Sequence, residues 1–330
     1  MERRIVLILI LLFITFSATY SQQDTIKTEI DSALAGPIGR KVDISILKKD
    51  MDYSFHYLEE HIDDTCRFCK RKVYYGTAKL FREVPKSKKD LRKEFISLLI
   101  EMTKDKNFHN PEYFSSVLYN YTYPDEFDSV HIQVMDDTLF YRDNSSGLPL
   151  LIAELNLKEY IPYLKHWANT TNLTWLPERN YKAALGRLGD EEMLKQLIQQ
   201  KFDLTQEENH IDLINHTKVL NYIRRKETTE KLFQYLYDKR KIIMGEWVGG
   251  GTIKEYSKVC GLAIYHLQEV VKDFPIRIDY NDLTIETDEE KLEEKKAEFD
   301  KKVKEAREWY EQHKNNYQIN RSLDNFNQFR

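Results

Sequence analysis

The sequence predicts an all-α chain of stacked antiparallel helical hairpins, an α-solenoid, with an irregular insertion and a charged C-terminal helix. Three observations predict it. Chain breakers are scarce, with 11 glycines and 8 prolines in 330 residues, against roughly 12% for the pair in average usage. A helix-turn-helix pattern in "YKAALGRLGDEEMLKQLIQQ" (181–200) recurs 33 residues upstream and 35 residues downstream, a period of helical-repeat length. Finally, Leu292, Phe299, Val303, Ala306 and Trp309 or Tyr310 form one apolar stripe in an otherwise Glu- and Lys-rich segment, Asp288 to His313, as on a helix packed through one face.

The first residues, "MERRIVLILILLFITFSATYSQQD", join a basic start at Arg3 and Arg4 to an apolar run from Ile5 to Phe16, followed by small and polar residues. That is the outline of a secretory signal peptide. The run is short of the roughly 20 apolar residues that span a bilayer. Thr19 and Ser21 supply small residues for a cut before Gln22, so residues 1–21 are expected to leave an exported chain, periplasmic or extracellular, with no integral membrane span. An uncleaved anchor is the alternative. Three cysteines are too few for a disulfide scaffold, so stability must come from packing.

Residues 22–70 read as an N-terminal helical segment that ends in "HYLEEHIDDTCRFCKRK". Here His61, Cys66 and Cys69 are three ligands suited to zinc, with Asp63 or Asp64 as a fourth. Packed or idle thiols and an exchangeable disulfide are the other readings, and a lone C-x-x-C lacks the second half of a zinc ribbon.

The repeat domain is expected over 71–275. Its first hairpin runs from Arg71 to Val84, turns over Pro85 to Lys89, and returns from Asp90 to Lys104. Residues 123–149 are irregular, and the alternation Val130, Ile132, Val134 allows a short strand. The repeat registers then follow. Ile152, Leu155, Ile161 and Leu164 align with Leu185, Leu188, Leu194 and Leu197, and these with Leu220, Ile223, Thr229 and Leu232. Gly189 should supply a left-handed C-cap and Asp190 an N-cap, with Glu191 and Glu192 complementing the dipole. "GEWVGGGTIKEY" (245–256) holds four of the eleven glycines and reads as a flexible, solvent-exposed connector. An apolar helix ending before Pro275 completes the domain, and 276–330 is a linker, the capping helix and a polar tail.

"AALGRLGDEEMLKQLIQQ" resembles the HEAT-like repeat of many bacterial proteins. "VCGLAIYHLQEVV", followed about forty residues later by "AREWYEQHK", is similar to the last repeat and closing tryptophan helix of exported proteins of that type. The resemblance extends from about Arg71 to about Tyr317 and implies a groove between stacked hairpins that takes a protein or peptide.

Charge is nearly balanced, with 50 basic and 54 acidic residues and a net charge of −4, which argues against nucleic acid as partner. No phosphate-binding glycine loop, G-x-S-x-G or H-E-x-x-H occurs, and adjacent acidic pairs such as Glu191-Glu192 diverge rather than face each other across a cleft. No cofactor is expected. Trp167, Trp175 and Tyr181 crowd one inter-repeat connection, where an exposed ring could stack on a ligand or cover the hairpin ends. The reading is a non-catalytic binding or scaffolding module. Its rivals are a metal- or thiol-dependent enzyme at Cys66, a glycan-active enzyme with dispersed carboxylates, and a subunit of a cell-envelope assembly.

Overall fold

The computed structural model describes residues 2–37, 40–62, 67–104, 112–129, 131–132, 147–170, 175–248, 251–279 and 289–322. These are mostly helical, with one two-stranded sheet among them. The chain divides into two compact units, Met1–Leu151 and Ile152–Arg330. Among the described residues no helix is long and apolar enough to cross a membrane.

In the first unit, α1 (Glu2–Ala35), α2 (Ile44–Leu47), α3 (Met51–Glu60), α4 (Arg67–Glu83), α5 (Lys89–Lys104) and α6 (Glu112–Tyr121) follow in order. The distal part of α1 carries Ile26, Ile30 and Ala33 at helical spacing, all fully buried where α1 meets α3 and α4. The last carbonyls of a helix lack intrahelical partners and carry its negative dipole end. Lys72 of α4 answers both, donating to the carbonyls of Ala33 at 2.7 Å and Gly36 at 2.8 Å. Phe55, Phe81 and Phe95 bring α3, α4 and α5 together, with ring centroids 4.4 and 5.6 Å apart. Beside them Arg92 is almost entirely buried. It binds Glu126 through Nε at 2.5 Å and Nη2 at 3.0 Å, and donates to the carbonyls of Val84 and Tyr121. One side chain thus fastens α5 to the ends of α4 and α6.

The short strand that the alternation allowed near Val130, as one of two readings, is not formed at Ile132. Asp128 caps a helical turn there, accepting from the His131 amide at 3.2 Å, while the Ile132 amide donates to the Asp128 carbonyl. Local side-chain capping wins over a three-residue alternation. Val130 and Val134 lie outside the described residues.

After α7 (Leu148–Glu154), the second unit contains α8 (Ile161–Thr170), α9 (Trp175–Leu188), α10 (Glu191–Gln199), α11 (Glu208–Ile223) and α12 (Lys226–Tyr235). A hairpin of β1 (Lys241–Val248) and β2 (Gly251–Lys258) leads to α13 (Val259–Val270) and α14 (Glu289–His313). Asn156, Gly189 and Arg224 have left-handed backbones, with φ of 55°, 94° and 51°. They stand 33 and 35 residues apart, each just past a helix. At Gly189 the Asp190 amide reaches the Leu185 carbonyl at 3.0 Å and the Gly189 amide that of Gly186 at 3.2 Å. Leu157 and Asn156 make the same two bonds to Ile152 and Ala153, both at 3.2 Å; this double closure is the Schellman motif. Asp190 then caps α10, accepting from the Met193 amide at 2.8 Å. Leu185, Leu188, Leu194, Leu197, Leu220, Ile223 and Leu232 are buried. So is Thr229, whose hydroxyl is satisfied by the Arg225 carbonyl at 2.8 Å.

The connector expected over 245–256 is instead the antiparallel hairpin, in register from Lys241↔Lys258 to Val248↔Gly251. Its strands carry Ile242, Ile243, Trp247, Val248, Thr252, Ile253 and Tyr256, residue types that favour a pleated backbone, and the glycines cluster where the chain reverses.

The segment from α14 to Ser322 is bound into this unit. On α14, Val303 and Ala306 are buried. Tyr310 stacks on Phe233 at 4.1 Å and Trp309 meets Phe274 edge-on at 5.0 Å, while the Tyr310 and Tyr317 hydroxyls both donate to Glu230. Beyond α14, Ile319 bridges Val271, and the Asn320 amide donates to the Val270 carbonyl. Arg224 donates to the carbonyls of Asn320 and Ser322, and Arg187 to that of Arg321.

Candidate binding face

Arg71, Tyr75, Lys79, Arg82 and Lys86 are spaced four, four, three and four residues apart, which puts the first four on one face of α4. The neighbouring helix α6 adds Tyr113 and Tyr121. The Arg71 guanidinium lies 5.6 Å from the Tyr75 ring, and Tyr75 is 4.9 Å from Tyr113. Arg82 lies 5.4 Å from Tyr113 and 4.8 Å from Tyr121, and donates to the Tyr113 hydroxyl at 3.2 Å. Lys86 sits over Tyr123 at 3.1 Å. Burial raises the Tyr113 hydroxyl above the usual tyrosine range, against the opposing pull of Arg82, so it remains a neutral donor. Each stacked cation gains roughly 0.5–1 kcal/mol at an exposed site, and the ring holds it in place.

None of Arg71, Lys79, Arg82 and Lys86 pairs with a carboxylate among the described residues, whereas basic residues around them do. Lys48 takes Glu83 at 2.5 Å, Lys88 takes Asp52, Arg92 takes Glu126 and Lys93 approaches Asp128 at 3.7 Å. The segment 67–93 holds Arg67, Lys70, Arg71, Lys72, Lys79, Arg82, Lys86, Lys88, Lys89, Arg92 and Lys93 against only Glu83 and Asp90. A whole-chain charge of −4 conceals this concentration. The spacing of Arg71, Tyr75, Lys79, Arg82 and Lys86 was the signal that could have found it.

A second polar cluster lies between α11 and α13. His266 is fully buried, with Nδ1 3.0 Å from Asn221 Nδ2 and Nε2 3.1 Å from Thr217 Oγ1; Asn221 also donates to Glu269 at 2.7 Å. The amide nitrogen has only hydrogens to offer, so Nδ1 accepts and Nε2 carries the proton. Thr217 in turn donates to the Ile214 carbonyl at 2.8 Å. Burial pushes His266 down to about 3, and the ring is neutral. Thr217, Asn221 and His266 are closed to solvent, so this relay holds two helices and meets no substrate.

Of the residues singled out from sequence, His61 and Tyr181 have side chains among the described residues. His61 caps α3, half-buried, with its ring edge-on to Tyr57 at 4.9 Å. Cys66 and the Cys69 side chain lie outside the described residues, as do the side chains of Trp167 on α8 and Trp175 at the start of α9. Tyr181 is buried within α9. Among the described residues no three His, Cys, Asp or Glu side chains converge as metal ligands would. Cys260 is a buried free thiol, and burial raises its pKa above the usual range. No protein-family model, curated protein or solved structure matches the chain.

Proposed function

We propose that the protein is an exported, non-catalytic binding module. Its second unit is a HEAT-like array of stacked hairpins, and the cation–tyrosine face of the first unit is the surface that meets a protein or peptide. The observation that carries the reading is the row of Arg71, Lys79, Arg82 and Lys86, three of them stacked on tyrosines, which pair with no carboxylate among the described residues, an arrangement whose charge is left for a partner to complement. The left-handed helix ends at the 33- and 35-residue shifts support the repeat. Export is supported by the exposure around the expected cut: Tyr20 is 70% exposed, and between Thr19 and Thr25 no residue is buried.

The test is to express the full chain with a photo-crosslinking residue in place of Tyr121 and to recover it by cell fraction. A mature N-terminus at Gln22 and a defined polypeptide adduct, lost in Arg71→Gln/Arg82→Gln, are the expected results. An intact Met1 terminus overturns export. Identical adducts from both proteins overturn the assignment of the face.

A further inference from the structure

We infer that this face reads the carboxylates of an acidic polypeptide segment lying extended along α4; the inference rests on the face being the binding surface proposed above. Arg82 is held between two tyrosines and Arg71 against a third, so both guanidinium planes are set before any ligand arrives. A planar fork with parallel N–H donors matches a carboxylate in two-point contact, and fixing it in advance reduces the ordering cost of binding.

The spacing fits a chain of acids. Arg71 and Arg82 are eleven residues apart on one helix, about 16 Å along its axis, which an extended peptide covers in about five residues. Lys79 and Lys86 add point charges on the same line.

Two other anionic partners fit less well. Sequence-tolerant binding of single-stranded nucleic acid draws on bases stacked upon open aromatic rings. Here cations already cover Tyr75, Tyr121 and Tyr123; Tyr75 and Tyr123 are half-buried, and Tyr121 is 39% exposed. Interfacial membrane binding needs apolar side chains to insert. In the first unit the large exposed hydrophobics among the described residues are Tyr20 and Tyr121, neither of them Leu, Ile, Phe or Trp.

The experiment is a fluorescence-anisotropy titration of the full protein with a labelled Glu/Ser peptide of about seven residues. Competitors are an oligothymidylate of equal charge and phosphatidylglycerol vesicles. Peptide binding should weaken from low to physiological salt. Arg71→Gln/Arg82→Gln should lose roughly tenfold in affinity, about the sum of two exposed charge contacts. Arg82→Lys should fail to recover the loss at that position, since an ammonium lacks the fork, and Lys304→Gln on α14 should bind as wild type. Thermal melts check that the variants fold; Lys79→Gln, which removes a charge without disturbing the Arg71, Arg82 and Lys86 stacks, gives a second, milder reading of the same line.

If oligothymidylate or vesicles bind more tightly and displace the peptide, the acidic-peptide inference falls while the face survives. If the peptide binds wild type and Arg71→Gln/Arg82→Gln equally, the face itself falls. If no probe binds, both fall.

Discussion

Two histidines in the second unit should make it acid-labile. His216 is buried with neither ring nitrogen hydrogen-bonded, 5.2 Å from the Phe202 ring and 6.3 Å from Tyr235. His266 is bonded in its neutral form. Burial above all, with Lys231 and Lys182 near His216 and Lys218 near His266, pushes both down to about 3. An unfolded chain titrates histidine at about 6.5. Between those values the unfolded state binds more protons than the native one, so stability falls as pH drops through 6.5 and the loss is complete only near 3. At about 1.4 kcal/mol per pH unit per group, moving to about pH 5 costs about 2 kcal/mol for each histidine. Together that is a large share of a typical 5–15 kcal/mol. Urea denaturation from about pH 7 to pH 5 measures the slope. His216→Phe keeps a ring in an aromatic setting and removes one titrating group, so its stability should fall about half as steeply. Parallel decline of wild type and His216→Phe would refute the reasoning, since the protons would then be taken up elsewhere.

Other substitutions test the packing. Glu126→Gln leaves the Arg92 guanidinium buried without its counter-charge and should cost about 3–5 kcal/mol in denaturant unfolding, whereas Arg92→Met/Glu126→Leu should cost less. Gly189→Ala must adopt φ near 94°, with a Cβ 2.8 Å from Arg225 Nη1; a loss of about 1–2 kcal/mol, read from Tm, is expected, with Gly189→Asn milder. Gly186 lets α9 and α11 approach, for a Cβ there would lie 2.4 Å from Ile223 Cδ1. Gly186→Ala should therefore cost about 1–3 kcal/mol. Ile223→Val removes that methyl group, and a double-mutant cycle should show part of the loss returned.

What the sequence made legible was local. The α4 and α5 boundaries, the Gly189–Asp190 joint and the stripe on α14 all follow from capping chemistry and 3.6-residue periodicity, which neighbouring residues encode by themselves. The β1–β2 hairpin was missed because four glycines weigh heavily in a composition reading, while the alternating β-branched and aromatic residues around them act only once two strands pair. The cation–tyrosine face was missed for a different reason. Summing charge over 330 residues averages a basic α4 against acidic segments far away, and Tyr113 and Tyr121 join Arg82 only through packing of α6 on α4. Arg92 shows the same limit: nothing near it in sequence announces that Glu126 will close the ring of contacts.

The segment that follows α14 has a consequence for the order of events in the cell. Arg224 waits for carbonyl partners 96 and 98 residues later, and Arg187 for one 134 residues later. A chain emerging from the ribosome folds its earlier parts first, and contacts of such long separation form late. The second unit therefore cannot seal until residues 320–322 have been made. Until then the ends of α9, α11 and α13 stand open, the interval in which a chaperone would find them.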